Sequence, residues 1–160
     1  MAKLFRNRVV LIPSLLTLIA VAHSQKGLSG APSVIRGTWV IKSIYRTQNI
    51  EGPGPAEQKK LIGTKIVYGD RSLESCGLSV PITSIEEHRV DSADFLANTR
   101  VRFSEVEIDA RSVTEVVLNN RQAGSCLEAF PSPGQDVYLK SKDEILIDFE
   151  GVFYRAVRKK

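Results

Sequence analysis

Apolar and polar positions along this chain alternate in short runs rather than recurring every three or four residues, the signature of half-buried strands. The pattern is cleanest near the end. Val137–Lys140, Ile145–Phe149 and Val152–Arg158 are separated by Ser141-Lys142-Asp143 and Glu150-Gly151, and predict a meander of two hairpins. Gly37–Arg46 predicts a first strand with Trp39, Ile41 and Tyr45 on one face. Thr64–Tyr68, Ser72–Cys76 and Val113–Leu118 read as further short strands, and Leu78–Ile85 as an edge or bulged one because of Pro81. In Val101–Ile108 the apolar positions 101, 103, 106 and 108 change parity, which predicts a strand with a bulge or turn. Only Ala56–Leu61, closed by Gly63, and Ser92–Asn98, with Ser92 as its cap, favour helix.

Seven to nine short strands with one or two short helices define an all-β fold, a sandwich or a barrel. A parallel βαβ architecture needs amphipathic helices of ten or more residues, and none is encoded. No repeat or low-complexity tract interrupts the pattern.

The start of the chain differs in kind. Lys3, Arg6 and Arg8 precede an apolar run from Val9 to Ala22, which ends in Ala22-His23-Ser24. A basic head, a short apolar core and a small-x-small site form a secretory signal peptide over residues 1–24. The run is too short, and too broken by Pro13, for a spanning helix, and no cysteine follows it to carry a lipid. Residues 25–36, rich in Gly, Ser and Pro, read as a flexible leader, and residues 37–160 as one β-barrel domain. The expected location is exported, periplasmic or extracellular, with no stable membrane anchor after cleavage.

Removing the signal changes the charge. Of 22 basic residues three leave, and none of the 18 acidic ones, so a net +4 becomes +1. Nucleic-acid binding loses its compositional support. Cys76 and Cys126 both remain; in an exported chain they are expected to form a structural disulfide, since their spacing fits no zinc or redox motif.

Gly37-Thr38-Trp39 opens the first strand and Phe153-Tyr154-Arg155-Ala156-Val157-Arg158 closes the last. This combination resembles the lipocalins and small exported bacterial proteins of lipocalin-like shape. The resemblance implies an antiparallel up-and-down β-barrel of about eight strands, with an arginine of the last strand stacked on the indole of the Gly-x-Trp. Here Gly37 and Trp39 occupy those positions, and Arg158 or Arg155 is the partner. No helix-forming segment follows the last strand, so the resemblance implies the barrel and not the family's C-terminal helix.

No residue set amounts to a catalytic or metal site, and no cofactor is implied. His88 is the single histidine past the signal and lies in a charged run, Glu86-Glu87-His88-Arg89. Glu105/Glu107 and Asp148/Glu150 are carboxylate pairs at i, i+2, a spacing that usually marks a solvent-facing strand. The expected role is therefore binding, not catalysis. A barrel of this size can hold one small hydrophobic ligand, with Trp39, Ile41, Tyr68, Phe103, Tyr138, Phe149 and Tyr154 as candidate lining residues. The alternative is an envelope interaction protein, such as a lysozyme-inhibitor-like protein. It would reach a protein partner through the loop Gln122–Gln135, stiffened by Cys126, Pro131 and Pro133. An open apolar interior favours the first reading; an interior filled by side chains, with a protruding ordered loop, favours the second.

Overall fold

A computed structural model describes residues 31–48, 52–119, 126–127 and 132–160. The expected signal peptide, the first part of the expected leader and most of the 122–135 loop lie outside them. Among the described residues nine strands form: β1 Gly37–Thr47, β2 Lys65–Tyr68, β3 Ser72–Ser75, β4 Leu78–Pro81, β5 Ser84–Asp91, β6 Ser112–Asn119, β7 Asp136–Leu139, β8 Glu144–Phe149 and β9 Val152–Arg158. The two helices are α1, Pro55–Lys60, and α2, Ser92–Thr99. None of the described helices is long and apolar enough to cross a membrane.

All strand pairs are antiparallel, in the order β4-β3-β2-β1-β9-β8-β7-β6-β5. Every neighbour is a sequence neighbour except β1 and β9. Pairing the first strand with the last curls the meander into a half-barrel. Stepping through the antiparallel pairs, β4 and β5 run in the same direction, with only Ile82 and Thr83 between them. The Ile82 N–H donates to Arg71 O of the β2–β3 turn, and the Thr83 N–H donates to Asn119 O of β6. β4 and β5 are thus two halves of one bent strand, bonded first to β3 and then to β6. Pro81, which has no N–H to give, stands just before the change of partner. From Trp39 the ladder passes through Ile66 and Ser75 to Leu78; from Ile41 it passes the other way through Ala156, Ile145, Leu139 and Thr114 to Arg89. The two routes arrive at opposite ends of the bent strand, the stagger that tilted strands produce as a sheet curls.

Alternation places a core on each face. The inner one gathers Trp39, Ile41, Ile66, Tyr68, Leu73, Val116, Val137, Ile145, Ile147, Phe149 and Tyr154. The outer one, beneath α2, gathers Phe95, Val101, Phe103, Val106, Tyr138, Leu146 and Phe153. Phe95 anchors it, with ring centroids 5.0 Å from both Phe103 and Tyr138 and 6.0 Å from Phe153.

Three local expectations are corrected. The segment 101–108 is not a strand: Phe103–Val106 forms a 3₁₀ turn, in which Glu105 accepts the Arg102 N–H at 2.8 Å. Its apolar positions change parity because they close on Phe95 from a turn. Helix α2 is capped by Asp91, not Ser92; the Asp91 carboxylate accepts from the N–H groups of Ala93 and Asp94 at 2.8 and 2.9 Å. The described part of the leader, 31–36, folds against the barrel, with Ala31 and Ile35 fully buried.

Candidate functional site

The base of the half-barrel is built around Trp39. Its indole N–H donates to Ile35 O at 2.6 Å, and the Arg158 guanidinium lies 4.1 Å from the centre of its ring. Arg158 also donates to Val34 O at 2.5 Å, Arg36 O at 2.6 Å and Lys142 O at 2.9 Å. Gly37, at φ +115°, leaves room for this; a Cβ there would stand 3.1 Å from Arg158 Nη1. Arg155 cannot share the position, because it points to the other face and pairs with Glu144 at 2.7 Å.

That outer-face pair belongs to a larger network. Lys140 Nζ donates to Tyr45 Oη at 2.6 Å and to Val106 O at 2.9 Å, and pairs with Glu144 at 2.8 Å. Burial alone would raise the Glu144 carboxyl; the hydrogen bonds from Lys140, Arg155 and Tyr45 outweigh it and hold the carboxyl at about 2. The same surroundings, burial first, push the Tyr45 phenol up.

The seven candidate lining residues do not come together. Trp39, Ile41, Tyr68, Phe149 and Tyr154 share the inner core, whereas Phe103 and Tyr138 belong to the outer one. The five inner residues are packed, none more than 4% exposed. Chain segments as well as side chains take up the interior. Ala31 and Ile35 enter from the base. Ser132, Pro133 and Gly134 are buried, and the Tyr68 hydroxyl donates to Gly134 O at 2.9 Å. Gly134 sits at φ +102°, where a Cβ would meet Tyr68 Oη at 2.9 Å and Ile66 Cγ2 at 3.0 Å. Only glycine lets this segment lie so close.

Three cavities are lined by described residues of α1, the β8–β9 turn and the segments between β6 and β7. One of about 360 Å³ is bounded by Thr47, Gln48, the 52–55 turn, Gln58 and Val152. A second of about 390 Å³ touches Glu57, Lys60, Cys126 and Leu127. The third, about 270 Å³, is lined by Ser132, Gln135, Asp136, Asp148, Phe149 and Glu150.

There Asp136 and Asp148 stand directly opposite each other in the β7–β8 ladder. Burial first, then the charges of Asp148 and Glu115, raise the Asp136 carboxyl to about 7. Burial, with Glu150 and Glu115, raises Asp148 to about 6 against a backbone hydrogen bond at Gly151. The Oδ1 atom of Asp136 is buried without a hydrogen-bond partner. Both carboxyls therefore keep their protons to higher pH than exposed aspartates do. The pair would also accept a cationic or hydrogen-bond-donating group entering the cavity.

The i, i+2 reading caught Asp148 and Glu150 but missed Asp136. Folding the predicted 137–149 hairpin about its turn would have found it, by setting 136 across from 148. Glu105 and Glu107 lie in and just after the 3₁₀ turn, not on a strand. His88 is exposed on β5, 3.5 Å from Glu86. Among the described residues no group of three or more His, Cys, Asp or Glu is placed to hold a metal ion. Cys76 and Cys126 form the expected disulfide, joining the β3–β4 turn to the segment after β6. Compared with protein-family models, curated proteins and solved structures, the chain finds no match in any of the three.

Proposed function

We propose that this chain is an exported binding protein that recognises a partner at its rim rather than carrying a molecule in its interior. It is an interaction protein of the cell envelope, of which a hydrolase inhibitor is one form. The observation that carries this reading is the closure of Tyr68 on Gly134: the space a lipocalin would offer an apolar ligand is taken by the protein's own chain. The cavity at Asp136 and Asp148 lies on the same rim and suits a basic or donor group on a partner. Export rests on the sequence of residues 1–24 and agrees with the disulfide. A lipocalin-like ancestry rests on the stacking of Arg158 on Trp39 at the end of a curled meander.

The small-ligand reading retains one observation in its favour. Among the described residues the half-barrel is joined along the β4–β5 side only through Ile82 and Thr83, the least hydrogen-bonded part of the wall. Native mass spectrometry of the protein recovered from its compartment separates the two. The rim reading expects the bare mass, unchanged after exposure to lipid, haem and quinone mixtures. A reproducible adduct lost on denaturation overturns it in favour of a carrier.

A further inference from the structure

The longest edge of the sheet is β5, eight residues hydrogen-bonded to β6 along one side. Among the described residues no strand pairs with its other side. Such an edge is a template for another strand unless its side chains forbid it. The usual protection is charge, and Glu86, Glu87, His88 and Arg89 are all exposed. The order of those charges, however, is not repulsive in every register.

We propose that β5 pairs antiparallel with β5 of a second copy of this chain, about a two-fold axis at His88. A two-fold perpendicular to a continuous sheet brings residues of the same face opposite each other, so the axis must pass through a residue of the strand. An axis at Glu86, Glu87 or Arg89 sets two like charges against each other on the axis itself. An axis at His88 places a histidine there and brings Glu87 of each copy opposite Arg89 of the other. Two reciprocal ion pairs form, with Glu86 facing Val90 and Ile85 facing Asp91, and no like charges opposed. Glu87 and Arg89 make no ion pair of their own among the described residues, so both are available. Of the registers that overlap most of the strand, the one centred on His88 is thus self-complementary, and those centred on Glu86, Glu87 and Arg89 are self-repelling.

The test is sedimentation velocity of the purified protein over a range of concentrations, with the disulfide intact. The wild type is expected to dimerise with concentration. Glu87→Arg and Arg89→Glu each replace both ion pairs with like-charge contacts and should weaken the dimer by at least about tenfold. The double exchange E87R/R89E recreates the pairs in reverse and should restore it. These side chains are solvent-exposed, so thermal melts of all three should match the wild type. A wild type that stays monomeric throughout overturns the proposal. So does a dimer that R89E leaves unweakened, or one that the double exchange fails to restore.

Discussion

Arg158 is held over Trp39 at 4.1 Å while its three nitrogens reach Val34 O, Arg36 O and Lys142 O. One side chain therefore joins the last strand to the first, to the leader and to the β7–β8 turn. Arg158→Ala should destabilise the fold by about 2–3 kcal/mol, from a cation–π contact and three charge-assisted hydrogen bonds at a partly solvated site. Arg158→Lys keeps the charge but not the planar fork, and should recover less than half of that loss. Urea unfolding followed by Trp39 fluorescence measures both. Equal stability of R158A and wild type would remove the base clamp from the account of this fold.

The Asp136–Asp148 pair sets a pH dependence of unusual sign. Both carboxyls titrate higher folded, at about 7 and 6, than the roughly 3.9 of an unfolded aspartate. Between these limits the native state holds more protons than the unfolded one, so stability falls as pH rises from about 4 to about 7. Asp148→Asn removes one of the two opposed charges. It should raise stability at pH 7.5 by about 1–3 kcal/mol and flatten the slope. Melting temperatures from pH 4.5 to 8 test this; a wild type that grows more stable toward pH 7 contradicts it.

Glu144 titrates the opposite way. Its folded carboxyl lies at about 2, below its ordinary 4.5, so the stability it contributes is present above pH 4.5 and fades as the pH falls toward 2. Lys140 and Glu144 have side chains only 9% and 19% exposed. Removing one partner leaves the other poorly solvated. Lys140→Ala should therefore cost about 3 kcal/mol. In a double-mutant cycle with Glu144→Gln the two losses should fall short of additive. Additive losses would mean the two side chains act separately.

Most of the architecture was legible in local pattern. The alternation in 137–158 and the turns at 141–143 and 150–151 specify the final meander, because a hairpin's register follows from its turn. Glu150 and Gly151, at φ +51° and +74°, form that second turn as expected. What escaped was non-local. Val101 to Ile108 carries β-type residues, yet Phe95 gathers them into a turn, a tertiary contact that overrides propensity. The arginine on Trp39 was narrowed to two. Only the pairing of Trp39 with Arg158 itself, and of Glu144 with Arg155, decides between them. Asp136 was overlooked because its carboxylate partner lies across a hairpin rather than along a strand.

The interior contact at Tyr68 yields the prediction closest to function. Tyr68→Phe loses a buried hydrogen bond to Gly134 O and leaves that carbonyl unpaired, at a cost of about 1–2 kcal/mol. Gly134→Ala fares worse. Its φ of +102° is unfavourable for a residue with a Cβ, and the added methyl would overlap Tyr68 Oη and Ile66 Cγ2. The backbone at 134 must then move away from β2, at a cost of about 2–4 kcal/mol. If this segment is what occupies the interior, displacing it should also open space among Ile66, Tyr68 and Phe149. G134A should then bind an apolar dye such as ANS, and the wild type should not. Dye fluorescence measured beside urea stability distinguishes the cases. Lost stability with dye binding identifies the 132–134 segment as the plug of an otherwise usable cavity. Lost stability without it means that the inner side chains close on themselves.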